Sequence, residues 1–466
     1  MKYLLFGTGE YYTRYKKWFA KEDVTALLDN APDKQGTYID GIAVVSPEEG
    51  IKLDYDAVMI LSVYVKAMKR QLMELGVPKE KIYHYYDLNS LICRDDGKPT
   101  GWYKKPIRYY GKAAEAAGGI LLLSHDLSLG GPALALYNMA KVLKARGNEV
   151  TFASTLDGSL REAIVEDGIP VIIDDNLQIE TMNDAGWIDG YSVIVCNTLN
   201  FYVFLSERDL QVPIIWWLHD SAFFYDGVDR AVMKQIRFDN LKVASVGPVP
   251  EQAIREFFPD LDCEELLYGV ADAADDAQKP DSSITRFITI GFLEDRKGQD
   301  VLIKAIRLLS DDVRQNCEFY IVGQDKSLFG DKIRQESRDI KEVIITGKVN
   351  REKIHELLAG SDWLVCPSRQ DPMPTVAAEA MMHHIPCIVS DVTGTAAYIC
   401  DGEDGFIFPS EDAELLASKI GWCVQNNEQA SCMGNRARNI YEKYFSMQAF
   451  EKQLLQILNT VIKDVK

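Results

Sequence analysis

Two carboxylates bracket an otherwise almost wholly apolar stretch, DPMPTVAAE, which runs from Asp371 to Glu379. Pro374 suits the first turn of a helix, so the backbone N–H groups around Met373, Pro374 and Thr375 would form a helix N-terminus. Such a terminus carries partial positive charge and free donors, which attract a phosphate. A carboxylate on either side can accept hydrogen bonds from sugar hydroxyls. The stretch therefore fits a nucleotide sugar, and it fits equally well a helix cap followed by a buried, paired acid.

Two other places carry residue types that can do chemistry. The run PIIWWLHD ends with His219 and Asp220, which would follow a parallel strand at its carboxyl end, where open sheets bind ligands. Hydrogen bonds within the loop would also explain this histidine. Near the N-terminus, LLFGTGEYY supplies Gly7 and Gly9 of a dinucleotide fingerprint that lacks its third glycine, and Asp29 follows about twenty residues later. This truncated pattern favours a docking scaffold over a bound nucleotide.

Short apolar runs alternate with helical patterns along the chain, which predicts α/β structure with parallel sheets. We expect three Rossmann-like blocks: an N-terminal module at 1–92, a second block at 119–277 and a third at 278–466. Residues 93–118, rich in glycine, proline and charge, are predicted to be a linker.

Composition limits the classes of function. The 51 basic and 70 acidic residues give a net charge of −19, so the surface repels nucleic acid. No run approaches about 18 uninterrupted apolar residues, and the N-terminus lacks the pattern of a signal peptide. The nine cysteines form no CxxC pair, which favours reduced thiols. We therefore expect a cytoplasmic, multidomain enzyme that binds no nucleic acid.

Four segments resemble one known family. PSRQDPMPTVAAEAMMHHIPCIVSD resembles the donor-binding signature of family-four glycosyltransferases, which are retaining enzymes of the two-Rossmann GT-B fold. SHDLSLGGPALALYNMAKVLKARGNEV, with Gly130 and Gly131, resembles the opening of their acceptor domain. ITIGFLEDRKGQDVLIKAI, with Lys297, resembles the opening of their donor domain, and SDVTGTAAYICDGEDGFIF, with Thr395, resembles the segment after the signature helix. The resemblance covers about 119–466 and implies a GT-B pair around a cleft.

The resemblance also implies roles for single residues. Asp371, where glutamate is commoner, would contact the transferred sugar, and Glu379 would bind the nucleotide. Lys297 would bind the diphosphate, and His219 would touch the sugar near its reacting carbon. The remaining residues placed at the donor are Gly130, Gly131, Met373, Pro374, Thr375 and Thr395.

One departure concerns Phe292, which stands where the family usually carries an arginine that binds the diphosphate. Arg296, next to Lys297, is the predicted substitute, and the departure leaves open an altered donor site. Resembling enzymes need neither a nucleophilic residue nor a metal ion. The Asp-x-Asp pairs at 54–56 and 260–262 are interpreted as solvated surface acids. No metal or other cofactor is expected.

The sequence therefore predicts a retaining hexosyltransferase that moves a sugar from a nucleotide diphosphate, with UDP favoured, to a bacterial surface polysaccharide or lipid-linked glycan. Two alternatives remain: a nucleotide-sugar epimerase on the same fold, and a non-catalytic glycosyltransferase-like partner subunit. The basic and aromatic segment 102–112 fits peripheral contact with the inner face of a membrane, and ordinary ring packing explains it as well. The N-terminal module resembles modules appended to polysaccharide-synthesis enzymes and is a candidate for oligomer formation.

Overall fold

The structure is a computed structural model that describes residues 1–62, 64–85, 91–93, 99–102, 106–112, 118–177, 180–274 and 283–464. Its strands form three sheets, two of six strands and one of eight, and a two-stranded ribbon. Pairing within the three sheets is mostly parallel, so the predicted α/β fold with three Rossmann-like blocks is confirmed. Of the helices in the described ranges, none has both the length and the apolar character needed to cross a bilayer.

The N-terminal module is a six-stranded sheet with a hydrophobic core on each face. Its first strand, YLLF, is wholly buried, as expected for a parallel strand covered on both sides. The sheet order is β3-β4-β2-β1-β5-β6. The elements are β1 (Tyr3–Phe6), α1 (Glu10–Tyr15), β2 (Val24–Leu28), β3 (Tyr38–Ile39), β4 (Ile42–Val45), α2 (Pro47–Gly50), β5 (Ala57–Ile60), α3 (Val65–Glu74) and β6 (Ile82–His84).

The middle domain follows a short ribbon of β7 (Leu91–Cys93) and β8 (Pro99–Trp102). Its sheet has the order β16-β15-β14-β13-β10-β11-β12-β9. The elements are β9 (Arg108–Tyr110), β10 (Ile120–Ser124), α4 (Gly131–Ala145), β11 (Val150–Ser154), α5 (Leu160–Glu166), β12 (Val171–Ile173), β13 (Val193–Asn197), α6 (Tyr202–Ser206), β14 (Ile214–Leu218), α7 (Arg230–Met233), β15 (Leu241–Ser245), α8 (Pro248–Arg255) and β16 (Cys263–Glu265).

The C-terminal domain contains a wholly parallel sheet of order β19-β18-β17-β20-β21-β22. Its elements are β17 (Thr285–Ile290), α9 (Gln299–Leu308), α10 (Asp311–Arg314), β18 (Cys317–Val322), α11 (Leu328–Glu336), β19 (Val343–Gly347), α12 (Arg351–Ala359), β20 (Trp363–Cys366), α13 (Thr375–Met382), β21 (Cys387–Ser390), β22 (Phe406–Phe408), α14 (Ala413–Gln425), α15 (Asn427–Ile440) and α16 (Met447–Asp464).

The structure differs from the sequence prediction in the segment expected to be a linker. Residues 108–110 form β9, which pairs antiparallel with β12 and closes one edge of the middle sheet. Three residues are too few to show a strand period, so no sequence pattern predicts this pairing. Two of the three lysines of the basic segment, at 104–105, lie outside the described residues, as does the stretch around the predicted boundary at 277–278.

The last helix, α16, returns from the C-terminal domain to the middle domain. The side-chain oxygen of Gln453 accepts a hydrogen bond from the Leu267 backbone N–H at 3.1 Å. The Phe450 ring stacks on Trp217, with the ring centres 5.9 Å apart. Phe450 is fully buried, so the end of the chain forms part of the middle domain's core. The predicted third block is therefore not structurally independent of the second.

The two domains also meet next to the predicted donor loop. A Cβ atom at Gly247, which has φ +129°, would lie 2.7 Å from Cε of Met373. The Tyr398 hydroxyl donates to Glu265 across the same boundary at 2.6 Å. Gly247 is thus favoured by its backbone conformation, and it lies directly against the donor loop.

Deleting residues 1–92 should leave binding of UDP to the remaining chain unchanged. The module has its own core, and its contacts with the middle domain include two exposed charge pairs, Arg70–Glu207 at 2.5 Å and Lys79–Asp184 at 3.2 Å. Exposed pairs contribute about 0–1 kcal/mol each. Calorimetric titration of both proteins with UDP measures the effect.

The matched control is a deletion of residues 1–118, which also removes β9. This variant should unfold at a lower temperature, because the β12 edge loses its partner strand. A folded 93–466 protein that no longer binds UDP would contradict the expectation.

Candidate active site

The loop between β20 and α13 carries Asp371, whose side chain is almost fully buried. Asp371 forms an isolated parallel bridge with Thr393, and its carbonyl accepts from the Gly394 N–H at 3.0 Å. A Cβ at Gly394 would lie 1.8 Å from the carbonyl oxygen of Pro372, so only glycine allows these loops to pack. The loop after β21 therefore fixes the position of Asp371.

Lys297 reaches Asp371 from the loop that follows β17. Its Nζ donates to Oδ2 of Asp371 at 2.5 Å, and the two side chains are 18% and 8% exposed. The turn that carries Lys297 ends at Gly298, which has φ +65° and lies against Pro367. β17 and β20 are neighbours in the sheet, so their carboxyl-end loops bring together two residues 74 positions apart.

Glu379 lies within α13 and is 1% exposed. Its Oε1 accepts from the guanidinium of Arg351, a residue at the start of α12. Its Oε2 has no hydrogen-bond partner among the described residues. Burial raises the pKa of Glu379, and Arg351 opposes that rise. A buried carboxylate oxygen without a partner is suited to accept a hydroxyl from a ligand.

The residues at the start of α13 are close to the loop after β21. Met373 is buried, Pro374 takes the N-cap position, and Thr375 is the first helical residue. The hydroxyl of Thr395 lies 3.5 Å from the sulfur of Met373. The structure therefore brings together four of the residues predicted at the donor.

Across the boundary, His219 follows the last residue of β14 and is 5% exposed. Its Nδ1 is hydrogen-bonded to the hydroxyl of Tyr268 at 2.9 Å, and its Nε2 has no partner among the described residues. Burial, and secondarily the nearby His125, hold the pKa of His219 well below its usual value. The imidazole is therefore neutral near pH 7, and one of its ring nitrogens is buried without a partner among the described residues.

Gly130 and Gly131 lie in the loop after β10. Gly130 is the N-cap of α4, and Gly131 is its first residue, followed by Pro132. The carbonyl of Pro132 accepts from the side-chain nitrogen of Asn197 at 2.9 Å. The start of α4 is thus held against the end of β13, on the same edge of the sheet as His219.

The side chain of Arg296 makes two hydrogen bonds within the C-terminal domain. Its guanidinium donates to the carbonyl of Gln370 at 2.9 Å and to Glu294 at 2.6 Å. Phe292 is 62% exposed, and its carbonyl accepts from Gln299 at 2.9 Å. Arg296 therefore lies beside the loop that carries Asp371, and its role toward a diphosphate stays a prediction.

Two residues that complete the site gave no signal in the sequence. Tyr268 follows β16 and lies 49 positions from His219, and Arg351 lies 28 positions from Glu379. Burial raises the pKa of the Tyr268 hydroxyl, which therefore stays protonated. A side chain that acts through a distant partner has no local spacing pattern, so only the folded structure identifies it.

The predicted N-terminal nucleotide residues are brought together, and Asp29 already has partners. Gly7 has φ +106°, and a Cβ there would lie 2.6 Å from the carbonyl oxygen of Leu61. Asp29 accepts from the Thr8 N–H and from Nζ of Lys34, both at 3.2 Å. Gly9 precedes α1, a helix of only six residues. Nucleotide binding by this module stays a prediction.

The two Asp-x-Asp pairs lie apart from the residues described above. Asp54 and Asp56 bond to Lys2 in the N-terminal module. Asp262 pairs with Lys242 at 3.0 Å before β16 begins, at the sheet edge opposite the carboxyl-end loops. Within the described residues, no three His, Cys, Asp or Glu side chains are grouped so that they could hold a metal ion.

Solved structures with the same fold include a glycosyltransferase from Rickettsia africae and a sucrose-phosphate synthase. Anabaena Alr3699/HepE in complex with UDP and glucose has a TM-score of 0.61 at 17% identity, over 74% of this chain and 100% of that one. Sucrose-phosphate synthase from Thermosynechococcus elongatus has a TM-score of 0.60 at 18% identity, over 74% and 99%. The fold and the site thus define a GT-B protein.

Family models match three parts of the chain. Glycosyl transferases group 1 matches residues 272–440, and glycosyl-transferase family 4 matches residues 117–245. Residues 1–83 match a separate model, C2185-like, N-terminal. The chain belongs to the family-four glycosyltransferases of the GT-B fold, with an additional N-terminal domain.

Similar sequences include enzymes of glycan synthesis. Pea granule-bound starch synthase 1 is 34% identical over 253 residues, which are 50% of this chain and 40% of that protein's length. Spore coat protein SA of Bacillus subtilis is 23% identical over 71% of this chain and 95% of its own. The Escherichia coli UDP-Gal:alpha-D-GlcNAc-diphosphoundecaprenol alpha-1,3-galactosyltransferase is 23% identical over 84% and 93%. The chain thus spans less than half of the pea enzyme and nearly all of the two bacterial ones.

Proposed function

We propose that the protein is a retaining, metal-independent hexosyltransferase that moves a sugar from a UDP-sugar to a bacterial surface glycan. The observation that carries the proposal is the buried Lys297–Asp371 pair, which lies at the carboxyl ends of two neighbouring strands. A cation beside a carboxylate is the pair that a sugar diphosphate needs, because one binds the phosphate and the other a sugar hydroxyl.

The donor would lie across the loops of the C-terminal domain. Lys297 has three N–H donors and can keep Asp371 while binding a diphosphate oxygen. The free Oε2 of Glu379 can accept from a ribose hydroxyl, since a nucleotide extends from the phosphates toward the body of the domain. The structures of Alr3699/HepE contain UDP and glucose or UDP-glucose, which supports UDP as the nucleotide.

The reaction needs no nucleophile from the chain. The acceptor hydroxyl attacks the anomeric carbon on the face from which the diphosphate leaves, and its proton passes to a phosphate oxygen. The bond between the anomeric carbon and the phosphate oxygen breaks, so UDP is released and the anomeric configuration is kept. Lys297 would stabilise the negative charge that develops on UDP, and neutral His219 would position the sugar through its free Nε2.

Release of UDP that depends on an acceptor tests the proposal. The purified protein is incubated with a panel of UDP-sugars, with and without an extract of bacterial surface glycans, and the UDP formed is measured. Transfer predicts release that rises with the acceptor, and NMR of the product should show the donor's anomeric configuration. An epimerase would convert its UDP-sugar without an acceptor. The exposed Phe292 keeps the non-catalytic subunit as the second alternative, which would release no UDP.

Activity should survive complete chelation of divalent metal. The Asp-x-Asp pairs lie away from the site, and positive charge at the diphosphate would come from Lys297 and the N-terminus of α13. Turnover is compared before and after dialysis against EDTA, with zinc, magnesium and manganese added back. Loss of turnover that manganese restores would contradict this part of the proposal.

A further inference from the structure

Apart from Tyr109 in the edge strand β9, the exposed large hydrophobic side chains in the described part of the middle domain lie on one edge. Leu129, Leu156, Phe223 and Phe224 are 65%, 53%, 63% and 49% exposed. They lie in the loops that follow β10, β11 and β14. In a parallel sheet the carboxyl ends of the strands meet at the same edge, which here is the edge that carries His219. We call the loops at 125–130, 155–159, 198–201 and 219–229 the acceptor platform.

The loops of the acceptor platform are in contact with one another. The Leu160 N–H donates to the carbonyl of Leu127 at 3.0 Å, which joins the first loop to the second. The hydroxyl of Thr198 lies 3.4 Å from Nδ1 of His125. The Leu199 N–H donates to Asp220 at 2.6 Å, which joins the third loop to the fourth. The exposed apolar side chains therefore belong to one continuous surface.

The loops of the acceptor platform carry net negative charge, although Asp157 is paired with Arg161 at 3.2 Å and with Arg108 at 3.8 Å, both from outside the loops. The four loops contain five aspartates and neither lysine nor arginine. The aspartates are Asp126, Asp157, Asp220, Asp226 and Asp229. Such a surface repels phosphate, sulfate and carboxylate groups, and it repels an anionic membrane for the same reason.

Apolar rings beside carboxylates suit an uncharged sugar. A pyranose has faces of C–H groups that pack on aromatic rings, and hydroxyls that donate to carboxylates. Phe223 and Phe224 lie edge to face, with ring centres 5.6 Å apart, so they present surfaces in two directions. The ring of His219, whose Nε2 has no partner among the described residues, lies just beneath the same edge.

We propose that the acceptor platform binds an uncharged terminal sugar of the acceptor glycan, with Phe223 and Phe224 as the packing surface. This inference rests on the proposed transferase function and adds the class of acceptor. Substrates that end in a uronate, a sulfated sugar or a phosphorylated sugar are disfavoured by the net negative charge of the platform. Lipid-linked acceptors are included where their terminal sugar carries no charge.

Binding to a printed glycan array, with UDP present, tests the proposal. The array carries neutral glycans and matched glycans that end in uronate, sulfate or phosphate. Wild-type protein should bind neutral glycans at least about tenfold more tightly than their charged matches. Phe223→Ala and Phe224→Ala should each weaken neutral binding by about tenfold. Tyr38→Ala, which removes an exposed aromatic ring from the N-terminal module, should change nothing.

Asp226→Lys introduces a cation at an exposed position of the platform and should raise binding of the charged glycans. The proposal is overturned if wild-type protein prefers charged glycans, if it binds no neutral glycan, or if both phenylalanine variants bind like wild type. The temperature of unfolding with and without UDP is measured for each protein. Failure of the proposed function would appear separately, as wild-type protein that neither responds to UDP nor transfers sugar from any UDP-sugar.

Discussion

Lys297→Ala will lower kcat by about 10²–10³, the loss typical for removal of a preorganised group that stabilises a developing negative charge. In the structure Nζ of Lys297 is held by Asp371 in a pair that is mostly buried, so the cation is already positioned before a donor arrives. The loss should appear in kcat more than in KM, because the charge on the leaving UDP is greatest in the transition state. Steady-state kinetics with a saturating acceptor measure it.

Two further variants separate charge from packing. Asp371→Asn keeps the shape of the loop and should also lower turnover, because the carboxylate is expected to contact the transferred sugar. Lys297→Ala leaves the Asp371 carboxylate buried without its partner. The double variant Lys297→Ala/Asp371→Asn removes that unpaired charge, so it should be more stable than Lys297→Ala alone. Thermal unfolding of the three proteins provides this comparison. Normal turnover in Lys297→Ala would contradict the assignment of the donor site.

Arg296→Ala tests how the chain compensates for Phe292. We expect its loss of turnover to approach that of Lys297→Ala, and Arg296→Lys to recover only part, because a lysine lacks the planar fork of donors. The arginine must then exchange its bond with the Gln370 carbonyl for a diphosphate oxygen when the donor binds. If Arg296→Ala keeps normal turnover, Arg296 serves only to hold the loop that carries Gln370 and Asp371.

Glu379→Gln will weaken UDP binding by about tenfold to a hundredfold, because hydrogen bonds to charged groups are worth about 1.5–3 kcal/mol. The ligand-free protein should lose no stability. Burial raises the pKa of Glu379 in the folded state, so the ionised carboxylate destabilises the fold at pH values above its unfolded pKa. At pH 7 the variant should therefore unfold at an equal or higher temperature, and any gain should disappear as pH falls and the wild-type carboxylate becomes protonated.

The matched control is Glu356→Gln, an exposed glutamate on the neighbouring helix that pairs with Lys353. It should change neither UDP affinity nor the unfolding temperature. Calorimetric titration with UDP and thermal scans at pH 4 and pH 7 compare the three proteins. Strong destabilisation of Glu379→Gln at pH 7, with normal UDP affinity, would mean that Glu379 is a structural acid.

The sequence predicted the parts of the site that depend on local pattern. Asp371 and Glu379 are placed by one strand, one loop and one helix, and apolar runs with flanking prolines are enough to predict those elements. The pairing of Lys297 with Asp371 depends on strand order, which a single sequence does not encode locally. Only the resemblance to a family predicted that Lys297 and Asp371 both lie at the donor.

Other features were outside the reach of sequence reasoning for physical reasons. Tyr268 and Arg351 act on residues far along the chain, and a tyrosine or arginine alone predicts no partner. β9 is three residues long, so neither its period nor its composition distinguishes it from a loop. The return of α16 also has no sequence signal, because an amphipathic helix shows that one face is buried without showing what covers it.

The return of α16 sets the order in which the protein can be completed during synthesis. Phe450 packs on Trp217, whose ring lies 4.5 Å from that of His219, so the end of the chain supports a residue made much earlier. A ribosome that adds about 5–20 residues per second needs about 10–40 s to travel from the middle domain to the last helix. During that interval the middle domain exposes the surface that α16 later covers. The nascent chain is therefore exposed to aggregation and to chaperone binding until α16 has left the ribosome and packed on the middle domain.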